Sequence, residues 1–396
     1  MVRFHTEIIK FMADMQLISS TYRLILKPVS MKLISLIAFT LLTTNLLAQN
    51  CDCSVNFNYT VTQVSRNYAG YRDKVNAANS KEFTKFTNKL TEKAKKTSNV
   101  DSCYVLLRTW TNYFKDQHLR VQLDWRYREK YPEKLSQLNK LLPKLKSLAP
   151  AAKDTLSNET SIKVLNDQTL LITLPSFDWS EKKNVDSLIK KYANELKRTP
   201  NWIIDLRGNM GGSDFVYSPF LPYLYTNPMA TLSSEFWATA DNIEIYEQKL
   251  ADKEVAKETK AYISNIVALM KNNKGHFVNP SGKDTTYVRL DSIYEYPKKV
   301  AFLIDRNSAS AAESFLLVAK QSKKVTIFGE NSYGMLDYAN YEYFDIPCAD
   351  YNLTIPISRS KRLPKNPIDN IGIRPDVLID NGEKQKINLI KLRLTQ

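Results

Sequence analysis

A chain of 396 residues that is 43% hydrophobic and 11% aromatic can bury a sizeable core and exceeds what one compact domain usually needs, so two folded units are expected. The formal charge of +15 raises nucleic acid as a partner, but the lysines are spread through helical stretches such as 81–96 and 134–146 and read as solvated faces. Nucleic acid is therefore set aside in favour of an acidic surface or acidic substrates.

Residues 1–30 carry neither helix caps nor an amphipathic pattern, and read as an upstream extension preceding the true start. Met31-Lys32 then opens the apolar run Leu33 to Leu42, followed by Leu46-Leu47-Ala48 ahead of Gln49-Asn50-Cys51. This is the pattern of a signal peptide at 31–48, too short in its apolar core to span a bilayer. The expectation is an exported protein, periplasmic or extracellular, starting near Gln49 and without stable membrane insertion after processing.

Cys51, Cys53, Cys103 and Cys348 all follow that segment, where an oxidising compartment permits disulfides. The preferred staple is Cys51 or Cys53 with Cys103. Cys-x-Cys could also hold a metal, yet no His or second Cys pair stands nearby to complete a tetrahedral set, so no metal is expected.

From Asn56 to Leu148 apolar residues recur at helical spacing, in Phe83-Phe86-Leu90 and in Tyr104-Leu107-Trp110-Phe114, and predict a helical N-terminal domain over 49–150. Residues 144–158 read as a linker to a core domain at 151–396. There the strand 169–175, a helix with Val185, Leu188, Ile189, Tyr192 and Leu196 on one face, and the strand 202–204 form one crossover. The strand 299–304, helix 311–321 and strand 325–328 form a second, so an α/β fold with helices covering a central sheet is expected. Residues 215–297 between them predict an inserted lid with one long helix around 246–270.

Asp205-Leu-Arg-Gly-Asn-Met-Gly-Gly-Ser213 follows a strand, and its glycines can present backbone N–H groups to an oxyanion. The competing readings are an ordinary Gly-rich turn or a phosphate loop, and the latter lacks the Lys-Ser/Thr it needs. Ser310, in Asp305-Arg-Asn-Ser-Ala-Ser-Ala-Ala-Glu313, stands between a strand and a helix, where a nucleophile gains from the helix dipole. Alone, Ser310-Ala-Ala-Glu313 is more readily a capping box. Together, glycine amides at one strand end and a serine at another form the constellation of acyl transfer, with Gly211, Gly212 and Ala311 as candidate oxyanion donors. The base must come from His118 or His276. His118 ends an apolar-periodic helix, while His276 sits in a Gly-containing loop and reads as exposed.

Four segments, Ile204-Asp-Leu-Arg-Gly-Asn-Met-Gly-Gly212, Asp305 to Glu313, Phe328-Gly-Glu-Asn-Ser-Tyr-Gly334 and Asp369-Asn-Ile-Gly-Ile-Arg-Pro-Asp376, occur in an order that resembles the C-terminal processing (tail-specific) serine peptidase family. The resemblance implies a crotonase-like (ClpP-like) α/β core. It also places Met335 where the Ser–Lys branch has its lysine, so the sequence is more similar to the tricorn-like branch, whose base is a histidine in a segment like Asp116-Gln-His118-Leu119. The resemblance then implies Asp369 as the acid that orients His118. The expected function is a serine peptidase acting on a peptide or protein through an acyl-enzyme, without a cofactor. The alternative is a non-catalytic peptide- or lipid-binding protein on the same fold.

Overall fold

The computed structural model describes residues 51–142, 157–253, 255, 257–379 and 385–396. The expected extension 1–30, the signal segment 31–48 and most of the expected linker lie outside the described residues. No described helix is long and apolar enough to cross a membrane.

The described residues begin with helices α1 (Cys53–Asn67), α2 (Ser80–Ala94) and α3 (Val100–Thr111), with a single helical turn at Tyr71–Lys74 between the first two. Asp52 caps α1 by accepting from the Val55 N–H, and Asn99 caps α3 by accepting from the Ser102 N–H, which satisfies donors that helix geometry leaves orphaned. A short strand β1 (Arg120–Leu123) follows, then α4 (Trp125–Lys130) and α5 (Pro132–Leu141). Strand β1 is an addition to the mostly helical pattern expected for this region. It pairs antiparallel with residues 351–354, so its partner lies outside any window in which local periodicity could reveal it.

The chain continues through β2 (Ser161–Asn166), β3 (Thr169–Thr173), α6 (Glu181–Lys191), α7 (Ala193–Arg198), β4 (Asn201–Asp205), β5 (Met229–Leu232) and β6 (Ser234–Trp237). Then come α8 (Ala240–Ala251), α9 (Lys257–Asn272), β7 (Phe277–Val278), β8 (Thr285–Val288), β9 (Lys299–Ile304), α10 (Ala311–Ala319) and β10 (Val325–Gly329). Strands β11 (Tyr338–Phe344), β12 (Tyr351–Ser360) and β13 (Val377–Leu378) and helix α11 (Lys386–Thr395) complete it.

Six strands form the central sheet in the order β13-β10-β9-β4-β3-β2, parallel throughout except for the antiparallel edge strand β2. Alternate residues point to opposite faces. Ile172, Ile204 and Phe302 pack with Phe315 of α10 on one side, whereas Leu171, Ile203 and Leu303 meet Ile390 and Leu394 of α11 on the other. Both faces are covered, which is why these strands read as continuous apolar runs. The strand–helix–strand units expected at 169–204 and 299–328 are present in that register.

A second, antiparallel sheet runs β1-β12-β6-β7, with β11 on the other edge of β12. The N-terminal helices pack on it: Phe57, Leu107, Trp110 and Phe114 share one core with Val121, Phe344, Leu353 and Ile355. Disulfides staple this assembly, Cys53 to Cys103 between α1 and α3 as preferred from sequence, and Cys51 to Cys348 just ahead of β12. The segment 215–297, expected as a helical lid, carries short helical turns at Ser218–Phe220 and Leu221–Leu224, the two longer helices α8 and α9, and four short strands, of which β6 and β7 extend the second sheet. Its expected single long helix is two, because Asp252 leaves α8 with an extended ψ of 124°.

Candidate active site

Two turns at the carboxyl ends of β4 and β9 are sewn together. Asp305 accepts from the Gly208 N–H at 3.0 Å, Ser308 Oγ donates to the Leu206 carbonyl at 2.8 Å, and the Ala309 N–H donates to the Asn209 carbonyl at 2.9 Å. Asn209 is fully buried; its amide donates to the Leu174 carbonyl and its Oδ1 accepts the Gly211 N–H, both at 2.8 Å. Gly211, at φ +94°, approaches the serine so closely that a Cβ added there would stand 2.6 Å from Ser310 Cβ. Only glycine fits.

Ser310 itself adopts φ 54° and ψ −119° at the start of α10. A non-glycine residue is costly in that conformation, about 1–3 kcal/mol, and such strain persists where the surroundings over-determine it, often at a nucleophile held on a sharp strand-to-helix turn. The Glu313 carboxylate does much of that holding. It accepts from the Ser310, Gly334 and Met335 N–H groups at 3.1, 2.7 and 2.8 Å and from Ser332 Oγ at 2.6 Å. The capping box expected from Ser310-Ala-Ala-Glu313 is present, yet Ser310 Oγ also lies 3.3 Å from His118 Nε2. Capping and a contact with the imidazole coexist at this residue.

His118 arrives from the loop between α3 and β1 and is buried. Its N–H donates to Asp116 Oδ1 at 2.9 Å, Tyr68 donates to Asp116 Oδ2 at 2.8 Å, and the His118 carbonyl accepts from Thr354 at 2.7 Å. The ring Nδ1 lies 2.7 Å from the Tyr338 carbonyl oxygen. A carbonyl can only accept, so Nδ1 carries the proton and Nε2 presents its lone pair to Ser310. Burial lowers the imidazole's proton affinity from its ordinary value, and the Asp116 charge and the Tyr338 bond oppose that only in part. The rival base, His276, is exposed in the loop before β7.

Two sequence expectations need correction. Asp369 does not meet the His118 ring; its Oδ1 accepts from the Leu336 and Asp337 N–H groups, both at 2.7 Å. Asp337 reciprocates, accepting from the Ile368 and Asp369 N–H groups at 2.9 Å, and pairs with Arg362 at 2.9 Å. The acid is thus one peptide removed, holding the segment whose Tyr338 carbonyl holds the ring. Burial, with Asp116 and Asp337 nearby, raises the Asp369 carboxyl well above the ordinary carboxylate range. The second correction is Gly211, whose N–H is taken by Asn209. Gly212 and Ala311 keep theirs without an acceptor, Ala311 because the first helical position has none within its helix. Met335 is buried against Ala309 and Tyr333.

Sequence reasoning missed Asp116, although it stands inside the histidine segment, and the Tyr338 carbonyl, a backbone atom that side-chain identity does not signal. It named Glu313 only as a cap.

A parallel sheet with covered faces, two sewn turns at its carboxyl end and a strained serine facing a histidine define an α/β serine peptidase fold. Residues 168–379, more than half of the chain, match the family model described as "Peptidase family S41", and the chain belongs to that family, the C-terminal processing serine peptidases. The fold is similar to that of mature CPAF complexed with lactacystin, with TM-score 0.58 and 12% identity over 88% of this chain and 98% of that one. It is also similar to a putative peptidase from Parabacteroides merdae ATCC 43184, with TM-score 0.52 and 17% identity over 87% and 97%. No curated protein matches the sequence.

Proposed function

We propose that this peptidase cleaves peptide bonds with Ser310 as nucleophile and His118 as general base, on the tricorn-like pattern. The observation that carries the reading is the contact of Ser310 Oγ with His118 Nε2, 3.3 Å, in a ring whose other nitrogen is tied to the Tyr338 carbonyl. Resting contacts between nucleophile and base are often slightly long and tighten when substrate binds.

His118 Nε2 takes the Ser310 proton as Oγ attacks the scissile carbonyl carbon. The carbonyl π-electrons move to oxygen, and that oxyanion sits between the Gly212 and Ala311 N–H groups at the positive end of α10. Collapse expels the amine, which takes the proton from His118, and water activated by the same nitrogen hydrolyses the acyl-enzyme. Asp369 acts at one remove, as a positioning residue for Tyr338. Met335 cannot accept a proton, so a lysine-dependent step is not available at that position. Export is part of the reading: the signal segment at 31–48 and two disulfides suit an oxidising compartment.

The test is hydrolysis of a peptide library by Ser310→Ala and His118→Ala proteins, with a serine-reactive phosphonate as label. Activity should fall by at least about a thousandfold in each, as removal of a triad member does, and labelling should vanish in Ser310→Ala. Unchanged hydrolysis in either variant sinks the assignment. Saturable peptide binding without hydrolysis by the native protein would favour the non-catalytic alternative.

A further inference from the structure

Among the described residues several large apolar side chains are exposed, and four aromatic ones form two pairs, one on the Gly212 turn and one on the His118 ring. Trp179 and Phe215 are each 50% exposed and meet edge to face with ring centroids 5.9 Å apart. Tyr341 is 43% exposed and stacks on the His118 ring at 5.6 Å; Tyr343, 61% exposed, lies 6.0 Å from Tyr341. Exposed apolar surface of this kind costs solubility and is retained chiefly where it binds something.

The first pair is built against the oxyanion donor. Phe177 donates its N–H to the Gly211 carbonyl and accepts from the Ser213 N–H, so the 177–179 turn and the 211–215 turn are locked side by side. Gly212 carries no side chain there because a Cβ would overlap the Phe177 carbonyl. Asp178 then accepts from both the N–H and Oγ of Ser180, at 2.9 and 2.7 Å, which fixes the turn on which Trp179 stands. Phe215 follows Gly212 by three residues. The second pair stands on β11, where Tyr341 and Tyr343 alternate with buried Glu342 and Phe344, so both point to one face, the face of the His118 ring.

We propose that Trp179 with Phe215, and Tyr341 with Tyr343, flank the scissile bond and select peptides bearing a large apolar side chain, aromatic above all, next to it. The inference rests on the peptidase reading above. Rings held edge to face offer a substrate aromatic the same offset and edge contacts, and their rigidity keeps the ordering cost of binding low. Polar and small side chains would leave those faces wet.

The experiment profiles cleavage of a mixed peptide library by native protein and by the Trp179→Ala/Phe215→Ala double variant. Both residues are half-exposed, and an unchanged melting temperature verifies that the variant folds. Native protein should cut beside Phe, Tyr, Trp and Leu; the variant should lose at least about tenfold in kcat/KM at those sites and less than about twofold at sites flanked by small residues. A flat native profile, or an equal loss at every site, overturns the proposal while leaving the dyad standing. Should the native protein cut nothing, the dyad reading falls, and peptide binding to Ser310→Ala protein decides this one. A tenfold preference for Phe- over Ala-containing peptides that the added Trp179→Ala/Phe215→Ala change abolishes supports it; equal binding overturns it.

Discussion

His118 Nδ1 stands 2.7 Å from the carbonyl oxygen of Tyr338, and that backbone atom occupies the place where a catalytic imidazole often meets a carboxylate. The ring is oriented and its tautomer fixed by a neutral group, and the Asp116 carboxylate, bonded to the His118 N–H rather than to the ring, is the negative charge that favours the imidazolium. Four consequences can be measured.

The role of Asp369 separates into charge and position. Asp369→Ala leaves the Leu336 and Asp337 N–H groups unpaired, at about 1–3 kcal/mol each, and frees Tyr338; kcat should fall with little change in KM. Asp369→Asn keeps an accepting oxygen and should restore most of kcat. Equal loss in both variants would show that the charge matters rather than the hydrogen bonds.

Burial lowers the His118 proton affinity, so the acid limb of kcat/KM should lie below the ordinary imidazole value of 6.5. Between the folded value and 6.5 the unfolded chain binds more protons than the folded one, so stability from this group is complete above that window and declines as pH falls through it. Asp116→Asn removes a charge that favours the imidazolium and should move the limb further to acid. A limb that stays put in that variant contradicts the electrostatic part of the account.

Gly211→Ala and Gly212→Ala should both abolish hydrolysis. The first places a Cβ 2.6 Å from Ser310 Cβ at a φ of +94°, and the second displaces the 177–179 turn. Left-handed backbone alone costs about 1–2 kcal/mol. Melting temperatures, read with phosphonate labelling, show whether the fold or only the site is lost; a fully active Gly211→Ala protein would contradict the packing described.

Arg362 is nearly enclosed, pairing with buried Asp337 and donating to the Leu336 carbonyl at 3.1 Å. Arg362→Met should destabilise the protein by about 3–5 kcal/mol at neutral pH, because Asp337 is left as an uncompensated buried charge. The added Asp337→Asn change should recover part of that loss. Denaturant midpoints of the two variants give the comparison.

Reading the residues alone reached a good part of this. The strands 202–204 and 299–304 were legible because sheet strands covered on both faces are continuous apolar runs, and α10 because Ser310 and Glu313 carry a capping signature. Strand β1 and the break between α8 and α9 were not legible. The first is set by a partner more than two hundred residues away, and the second opens with an extended backbone at Asp252 that the residue pattern does not signal. Trp179 and Phe215 were silent in sequence as well, since an exposed aromatic and a buried one have the same letter.

By itself the sequence determined the identities: a serine after a parallel strand, glycines at a neighbouring strand end, one histidine in the N-terminal helical region, and no lysine at Met335. Those follow from local chemistry, in periodicity, capping and backbone freedom. Tertiary structure decided the partnerships. It set Asn209 on the Gly211 N–H, which leaves the Gly212 and Ala311 N–H groups without an acceptor, and it put a carbonyl rather than Asp369 on the imidazole. Hydrogen bonds are directional and short, so which donor meets which acceptor depends on packing at a few tenths of an ångström, and that is fixed only when distant segments close on one another.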